Sequence, residues 1–351
     1  MEMCGMRTDL DSQQRIDVVC RLRSRQLRAW KKYSLDRAVS REGCIRPEAY
    51  SSCSTIFRGF QKWWCRQQPG KPEREAVVWI LEIPTDRNEP RRSLVAQLGV
   101  RQLCIGGPEV PPALQRYVRS WTHNKNFTER NSTVAEADPD ASRFYPANDL
   151  GRIVSRLRYV KQDGSLTTYS TAAVLRIHPE DVVQLAHAAE AIARRTVFVS
   201  YKHADFEESA SGLRPGWQPA DLAKLLIRRG LGVWLDSLCA PRRGEAAGKV
   251  PDEPDWTDDE VERLLAEGHV QSQVVLAIDT PHYDTPGVKG TNWTRREYTG
   301  EAGMGRRASP LRRFVLHGPE RRCLEPVPDD MMPWPDDLGE QIADRIERLC
   351  G

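Results

Sequence analysis

The chain has 351 residues, enough for two domains of ordinary size that each bury their own core. It is 39% hydrophobic and 29% charged, with a mean hydropathy of −0.59. No run reaches the roughly 18 consecutive apolar residues of a membrane span, which excludes that class of integral protein. The net charge of +3 conceals an asymmetry: residues 1–195 carry 32 Lys and Arg against 22 Asp and Glu, whereas residues 196–351 carry 20 against 27.

In chain order, the opening MEMCGMRTDLDSQQR lacks the apolar core of a secretory signal, so a cytoplasmic location is expected. Residues 8–35 predict a helix, with Ile16, Val19, Leu22, Leu27 and Trp30 at loosely helical spacings among many arginines. Phe57, Phe60, Trp63 and Trp64 lie among Arg58, Lys62 and Arg66. That cluster suits a small domain's core better than a base-stacking platform. Gln67 to Pro72 is a break, and Ala76–Ile83 (AVVWILEI) predicts a strand, as does Arg101–Ile105. Residues 119–150 are polar and predict a long loop or linker. Leu157–Val160 and Leu166–Tyr169 predict a hairpin around Gln162-Asp163-Gly164, and Glu180 to Arg195 a connecting helix. Residues 1–118 are thus expected to be an α+β region of unknown fold. The basic charge of the N-terminal half fits a polyanion such as nucleic acid, but ranks below an ordinary solvated surface.

The pattern changes after Arg195. Thr196–Tyr201 (TVFVSY) is a continuous apolar run rich in β-branched residues, as expected of a strand buried on both faces. A helix follows at Pro219–Arg229 with Gly230 as its stop, then a strand at Val233–Leu235. A second helix is predicted at Asp258–Gly268, with Thr257 and Glu260 in a capping box. A strand at Gln273–Ile278, a helix at Trp293–Ala302, a strand at Arg313–Leu316 and a helix from about Pro335 to Leu349 complete the series. Strands alternating with helices predict a parallel sheet covered on both faces, with ligands beyond the carboxyl ends of its strands. The path between Leu316 and Pro335 is short and Pro-rich, which predicts four strands, or a fifth as a short edge at Arg322–Leu324.

Nine cysteines, at positions 4, 20, 44, 53, 65, 104, 239, 323 and 350, form no C-x-x-C pair and no zinc spacing. They read as reduced thiols. Cys239 has no His and Asn set nearby in sequence, which argues against a nucleophile.

Val197-Phe198-Val199-Ser200-Tyr201, Arg229-Gly230-Leu231-Gly232-Val233-Trp234-Leu235-Asp236, and Trp293 with Glu297 in a W-x-x-x-E arrangement occur in the right order. Together they resemble the TIR (Toll/interleukin-1 receptor) domain family over residues 196–351. The resemblance implies a flavodoxin-like α/β fold and one of two functions. Some TIR domains are adaptors that associate with other TIR domains; others hydrolyse or cyclise NAD. In the enzymatic ones a Glu on the third helix lies in the pocket for the nicotinamide riboside, and Glu297 matches it. Nicotinamide leaves as a neutral base from a cationic pyridinium, so no general acid is required. The site must stabilise an oxocarbenium-like sugar, which one carboxylate near the ribose can do.

Trp293, four residues before Glu297, shares its helix face and is expected to stack on a ring of the dinucleotide. Lys202 and His203 are placed to meet the pyrophosphate or ribose, Tyr201 to line the pocket, and Asp236 to bind ligand or cap its loop. NAD is then a substrate, and neither cofactor nor metal is expected. The resemblance also implies self-association, with the charged loop after Asp236 in the associating segment and an unknown trigger for the N-terminal region. The Arg-, Ala-, Asp- and Pro-heavy composition suggests a high-GC bacterial source and a defence or stress role. Glu297 with Trp293 favours the enzyme over the adaptor.

Overall fold

A computed structural model describes residues 15–23, 75–83, 93–105, 133–152, 154, 156–161, 165–168, 174–207, 214–239, 258–286, 290–301, 311–319 and 323–351. The aromatic cluster at 57–64, the break at 67–72, Thr257 and most of the 237–256 loop lie outside these residues. The chain divides into two compact units. Among the described residues no helix is long and apolar enough to cross a membrane.

The first unit holds a seven-stranded mixed sheet. Its strands are β1 (Arg15–Arg23), β2 (Glu75–Ile83), β3 (Ser93–Ile105), β4 (Thr133–Phe144), β5 (Tyr159–Val160), β6 (Leu166–Thr167) and β7 (Val174–Ile177). They lie in the order β4-β3-β2-β1-β7-β5-β6, and β1 pairs parallel with β2 but antiparallel with β7. The predicted strand at 76–83 is present, 101–105 forms the end of β3, and the two segments of the expected hairpin pair antiparallel at Tyr159–Val160 and Leu166–Thr167.

Two expectations are corrected. The helix expected at 8–35 is a strand where it is described: Ile16, Val18, Val19 and Cys20 are all buried, which a central strand with two neighbours requires. The loop expected at 119–150 contains the strand β4, whose polar sequence is held by pairing with β3. A buried charge inside β1 is compensated, since Asp17 accepts from the Trp79 indole at 2.9 Å and pairs with Arg15 at 3.0 Å.

The helix α1 (Pro179–Arg194) leads to the second sheet, which is all parallel. It comprises β8 (Thr196–Ser200), β9 (Gly232–Trp234), β10 (Val274–Asp279), β11 (Arg312–His317) and β12 (Asp330–Pro333), in the order β12-β11-β10-β8-β9. That is the flavodoxin-like arrangement. The fifth strand is thus present, at Asp330–Pro333 rather than at 322–324, where Cys323 and Leu324 are not in a strand. Its two methionines and flanking prolines carry no alternation that would mark it; β11 supplies the partner that makes it a strand.

Interleaved with these strands are α2 (His203–Phe206), α3 (Pro219–Arg228), α4 (Asp236–Cys239), α5 (Asp258–Gln271), α6 (Trp293–Thr299) and α7 (Glu340–Cys350). Alternation along β8 decides which face each residue serves. Val197 and Val199 join Leu222, Leu226 and Ile227 of α3 and Ile342, Ala343 and Ile346 of α7 in one core. Phe198 and Ser200 face the other side. There the Phe198 ring stacks on Trp234 at 4.6 Å and on the buried His269 of α5 at 4.1 Å.

Arg229, at the end of α3, reaches Glu340, Asp344 and Glu347 of α7 at 2.6, 2.7 and 3.2 Å and ties the two helices together. The free edge of β9 is covered where Val233 donates to the Ala147 carbonyl at 2.7 Å.

Helix α5 approaches the sheet at Gly268, where a Cβ would meet the Trp234 ring at 2.5 Å. Gly268→Ala gains helix propensity of at most about 1 kcal/mol, whereas overpacking costs about 1–3 kcal/mol. A net loss is therefore expected in urea unfolding, and smaller in a Trp234→Leu background. A stabilised Gly268→Ala would show that the ring yields.

Candidate active site

The carboxyl ends of β8 and β10 bring together groups distant in sequence. Ser200 closes β8, and alternation turns it away from the α3–α7 core. Tyr283 lies in the turn after β10, and its ring is buried. Glu297 stands in the second turn of α6. That helix is fixed at its start by Asn292, whose side chain accepts from the Arg295 amide, and at its end by Gly300, with φ 83°. A left-handed residue there favours glycine. The Thr294 hydroxyl donates to the Tyr283 carbonyl, which locks the turn to the helix.

Within this frame Ser200 Oγ is 2.5 Å from Glu297 Oε2 and 2.7 Å from the Tyr283 hydroxyl. A serine has one proton to give. When Glu297 is ionised, Ser200 donates to the carboxylate and Tyr283 donates to Ser200. Among the described residues Glu297 Oε1 makes no hydrogen bond.

Glu297 is only 9% exposed. Burial pushes its carboxyl up from the ordinary 4.5 to about 8, and the charge of Asp236 acts in the same direction. The Ser200 hydrogen bond and the positive charges of His203 and Lys202 pull against it without prevailing. The Tyr283 phenol is raised as well, by burial and then by Glu297.

A second group lies within electrostatic reach of the carboxyl. Asp236, opening α4, accepts from the Tyr201 hydroxyl at 3.1 Å and pairs with His203 Nε2. The rings of Tyr201 and His203 stack with centroids 4.5 Å apart. Lys202 Nζ donates to the Thr285 carbonyl at 2.7 Å, spanning from β8 to the segment after β10. Asp205 of α2 receives His282 Nδ1 at 2.5 Å and the His282 amide at 3.2 Å, a second tie between these segments.

The expected residues Tyr201, His203 and Asp236 therefore meet directly, and Lys202 and Glu297 lie beside them. Trp293 behaves differently: it is half-buried, and the guanidinium of Arg296 lies over its ring at 5.0 Å. A ligand ring stacking on that face would have to displace Arg296. Ser200 and Tyr283 stand outside the sequence-based expectation. The end of the TVFVS run marks Ser200 as strand-terminal, but no spacing links it to a tyrosine 83 residues away. Among the described residues no group of three or more His, Cys, Asp or Glu side chains is arranged for a metal ion.

Holding the Glu297 proton carries a stability consequence. Between pH 4.5 and about 8 the folded chain keeps a proton that the unfolded chain releases, so stability falls as pH rises through that window. Glu297→Gln removes this dependence. The stability difference, variant minus parent, is expected to grow by roughly 2–4 kcal/mol from pH 4.5 to pH 7 in urea unfolding. A difference independent of pH would show an ordinary carboxyl.

No protein-family model matches the chain, and no curated protein matches it.

Proposed function

We propose that residues 196–351 form a TIR-type domain that cleaves NAD at the nicotinamide–ribose bond, with Glu297 as the catalytic carboxylate. The observation that carries this reading is a buried carboxyl at the carboxyl edge of a parallel sheet, anchored through Oε2 and, among the described residues, unbonded at Oε1. That edge is where ligands of open α/β sheets bind. The motifs Val197–Tyr201, Arg229–Asp236 and Trp293 with Glu297 add the resemblance to the family.

In the proposed reaction the ribose C1′–N bond breaks and its electron pair neutralises the pyridinium nitrogen, so nicotinamide leaves without needing a proton. The sugar cation is stabilised by the Glu297 carboxylate. Water, or a nucleophile within the substrate, then forms the new bond at C1′; when water attacks, its proton passes to solvent. Low polarity around Glu297 strengthens its attraction for a cation. Lys202 and His203 supply positive charge that suits the pyrophosphate.

The same burial makes the ionised form scarce at neutral pH in the free protein. A cationic pyridinium beside the carboxyl favours ionisation, so substrate binding and proton release are coupled. Since the ionised form is the active one, kcat/KM is expected to rise with pH and level off above about 8. The kcat profile is expected to level off at lower pH, because bound substrate lowers the carboxyl.

The test is nicotinamide release from NAD by the full chain at high protein concentration. Glu297→Gln and Glu297→Ala are expected to lose about 100-fold or more in kcat, as loss of a preorganised electrostatic group does. Variants as active as the parent would remove Glu297 from the chemistry. No release at any pH or protein concentration would favour a non-catalytic TIR adaptor that works by self-association.

A further inference from the structure

We infer that Ser200 and Tyr283 form a positioning couple that holds Glu297 by Oε2 and leaves Oε1 as the oxygen presented to the substrate; this rests on the NAD-cleaving reading above. Ser200 Oγ lies between Glu297 Oε2 at 2.5 Å and the Tyr283 hydroxyl at 2.7 Å, and both Ser200 and Tyr283 are 1% exposed or less. Three elements meet there: β8 supplies Ser200, the turn after β10 supplies Tyr283, and α6 supplies Glu297.

Proton counting makes the couple directional. With Glu297 ionised, the Ser200 proton points to the carboxylate, and the Ser200 lone pair must then be satisfied by Tyr283. Tyr283 therefore acts on the carboxyl through Ser200 rather than by contact. A carboxylate bound at one oxygen keeps a fixed plane, which matters when its other oxygen must meet a developing charge. The Thr294 hydroxyl donates to the Tyr283 carbonyl and fixes the turn to α6, so the couple and the carboxyl move together.

The groups facing Glu297 are Asp236 from α4, His203 from α2, Lys202 after β8 and Tyr283; those facing Tyr283 are Glu297, Tyr298 and Asp279. All except the mutated residue are shared by the variants compared below. A change in the titration of Glu297 is therefore assignable to the couple.

The test uses full-length Ser200→Ala, Tyr283→Phe and the double variant. First, each is compared with its own Glu297→Gln partner in urea unfolding from about pH 5 to about pH 10. The pH at which the difference stops growing reports the carboxyl without any assay of activity. Ser200→Ala is expected to move it upward by about one pH unit, because a hydrogen bond to the charged form is lost. Tyr283→Phe is expected to move it less in the same direction, and to add nothing when Ser200 is already Ala.

Second, nicotinamide release is expected to fall about 10- to 100-fold in kcat for Ser200→Ala with KM nearly unchanged, the loss of one hydrogen bond to a charged group. Should Ser200→Ala fail to fold, Tyr283→Phe, which keeps the buried ring, carries both measurements. Differences that level off where the parent's does would overturn the couple, as would equal effects of Tyr283→Phe with and without Ser200. A parent without nicotinamide release would sink the NAD reading, while the unfolding measurement still decides whether the couple holds the carboxyl.

Discussion

The second sheet depends on β8 being buried on both faces. Five consecutive buried residues, Thr196 to Ser200, leave no solvent side, so the period of two sorts side chains between two cores rather than between core and water. Val197 and Val199 pack with α3 and α7, while Phe198 and Ser200 face away from them. A one-residue slip would send Ser200 into the aliphatic core and Val199 to the carboxyl of Glu297. Hydrophobic sorting along one strand and placement of a polar hydroxyl beside an acid are therefore one constraint. Parallel pairing with β9 and β10 on either side holds that register.

From this follows the electrostatic character of the site. A carboxyl buried beneath a turn and two strand ends is costly to ionise, and a single serine bond offsets the cost only in part. Asp236 adds to the cost, and Lys202 and His203 relieve it. The arrangement costs the folded state more as pH rises towards 8. A destabilised charge held ready for a cation is what the proposed chemistry asks of a protein, and local instability of this kind is common where function is concentrated. The rest of the unit offsets it by ordinary means: the aliphatic core against α3 and α7, the Phe198–Trp234–His269 stack, and Arg229 bridging three carboxylates of α7.

The first unit obeys the same physics with a different outcome. Its sheet is mixed, so it needs no crossover helix between every pair of strands, and β3 and β4 pair antiparallel over long runs. The arginine-rich sequence around β1 imitates helical spacing because Ile16, Val19 and Leu22 fall three apart. The intervening Val18 and Cys20 are equally apolar, and a short apolar run such as Val18–Cys20 is compatible with either a buried strand or a buried helix segment. Neighbouring strands resolve such an ambiguity, and they lie 50 or more residues away: Arg15 pairs with Glu75, and Val18 with Arg176.

What the amino-acid order determined by itself is everything that local chemistry dictates. The apolar, Val-rich runs at 197–199 and 274–276, the helix stop at Gly230, and the i, i+4 placement of Trp293 and Glu297 all act within a few residues. The alternation of such segments is enough to specify a parallel α/β sheet and to direct attention to its strand ends. What only the tertiary structure decided are pairings across long separations. They include the strand status of 15–23, 133–144 and 330–333, and the contact of Arg296 with Trp293 where an open aromatic face was expected. They also include the meeting of Ser200, Tyr283 and Glu297. The physical reason is common to the long-range cases: a hydrogen bond between residues 83 or 97 apart leaves no periodic trace in the chain. The surroundings that raise Glu297 exist only once three separate elements have closed over it.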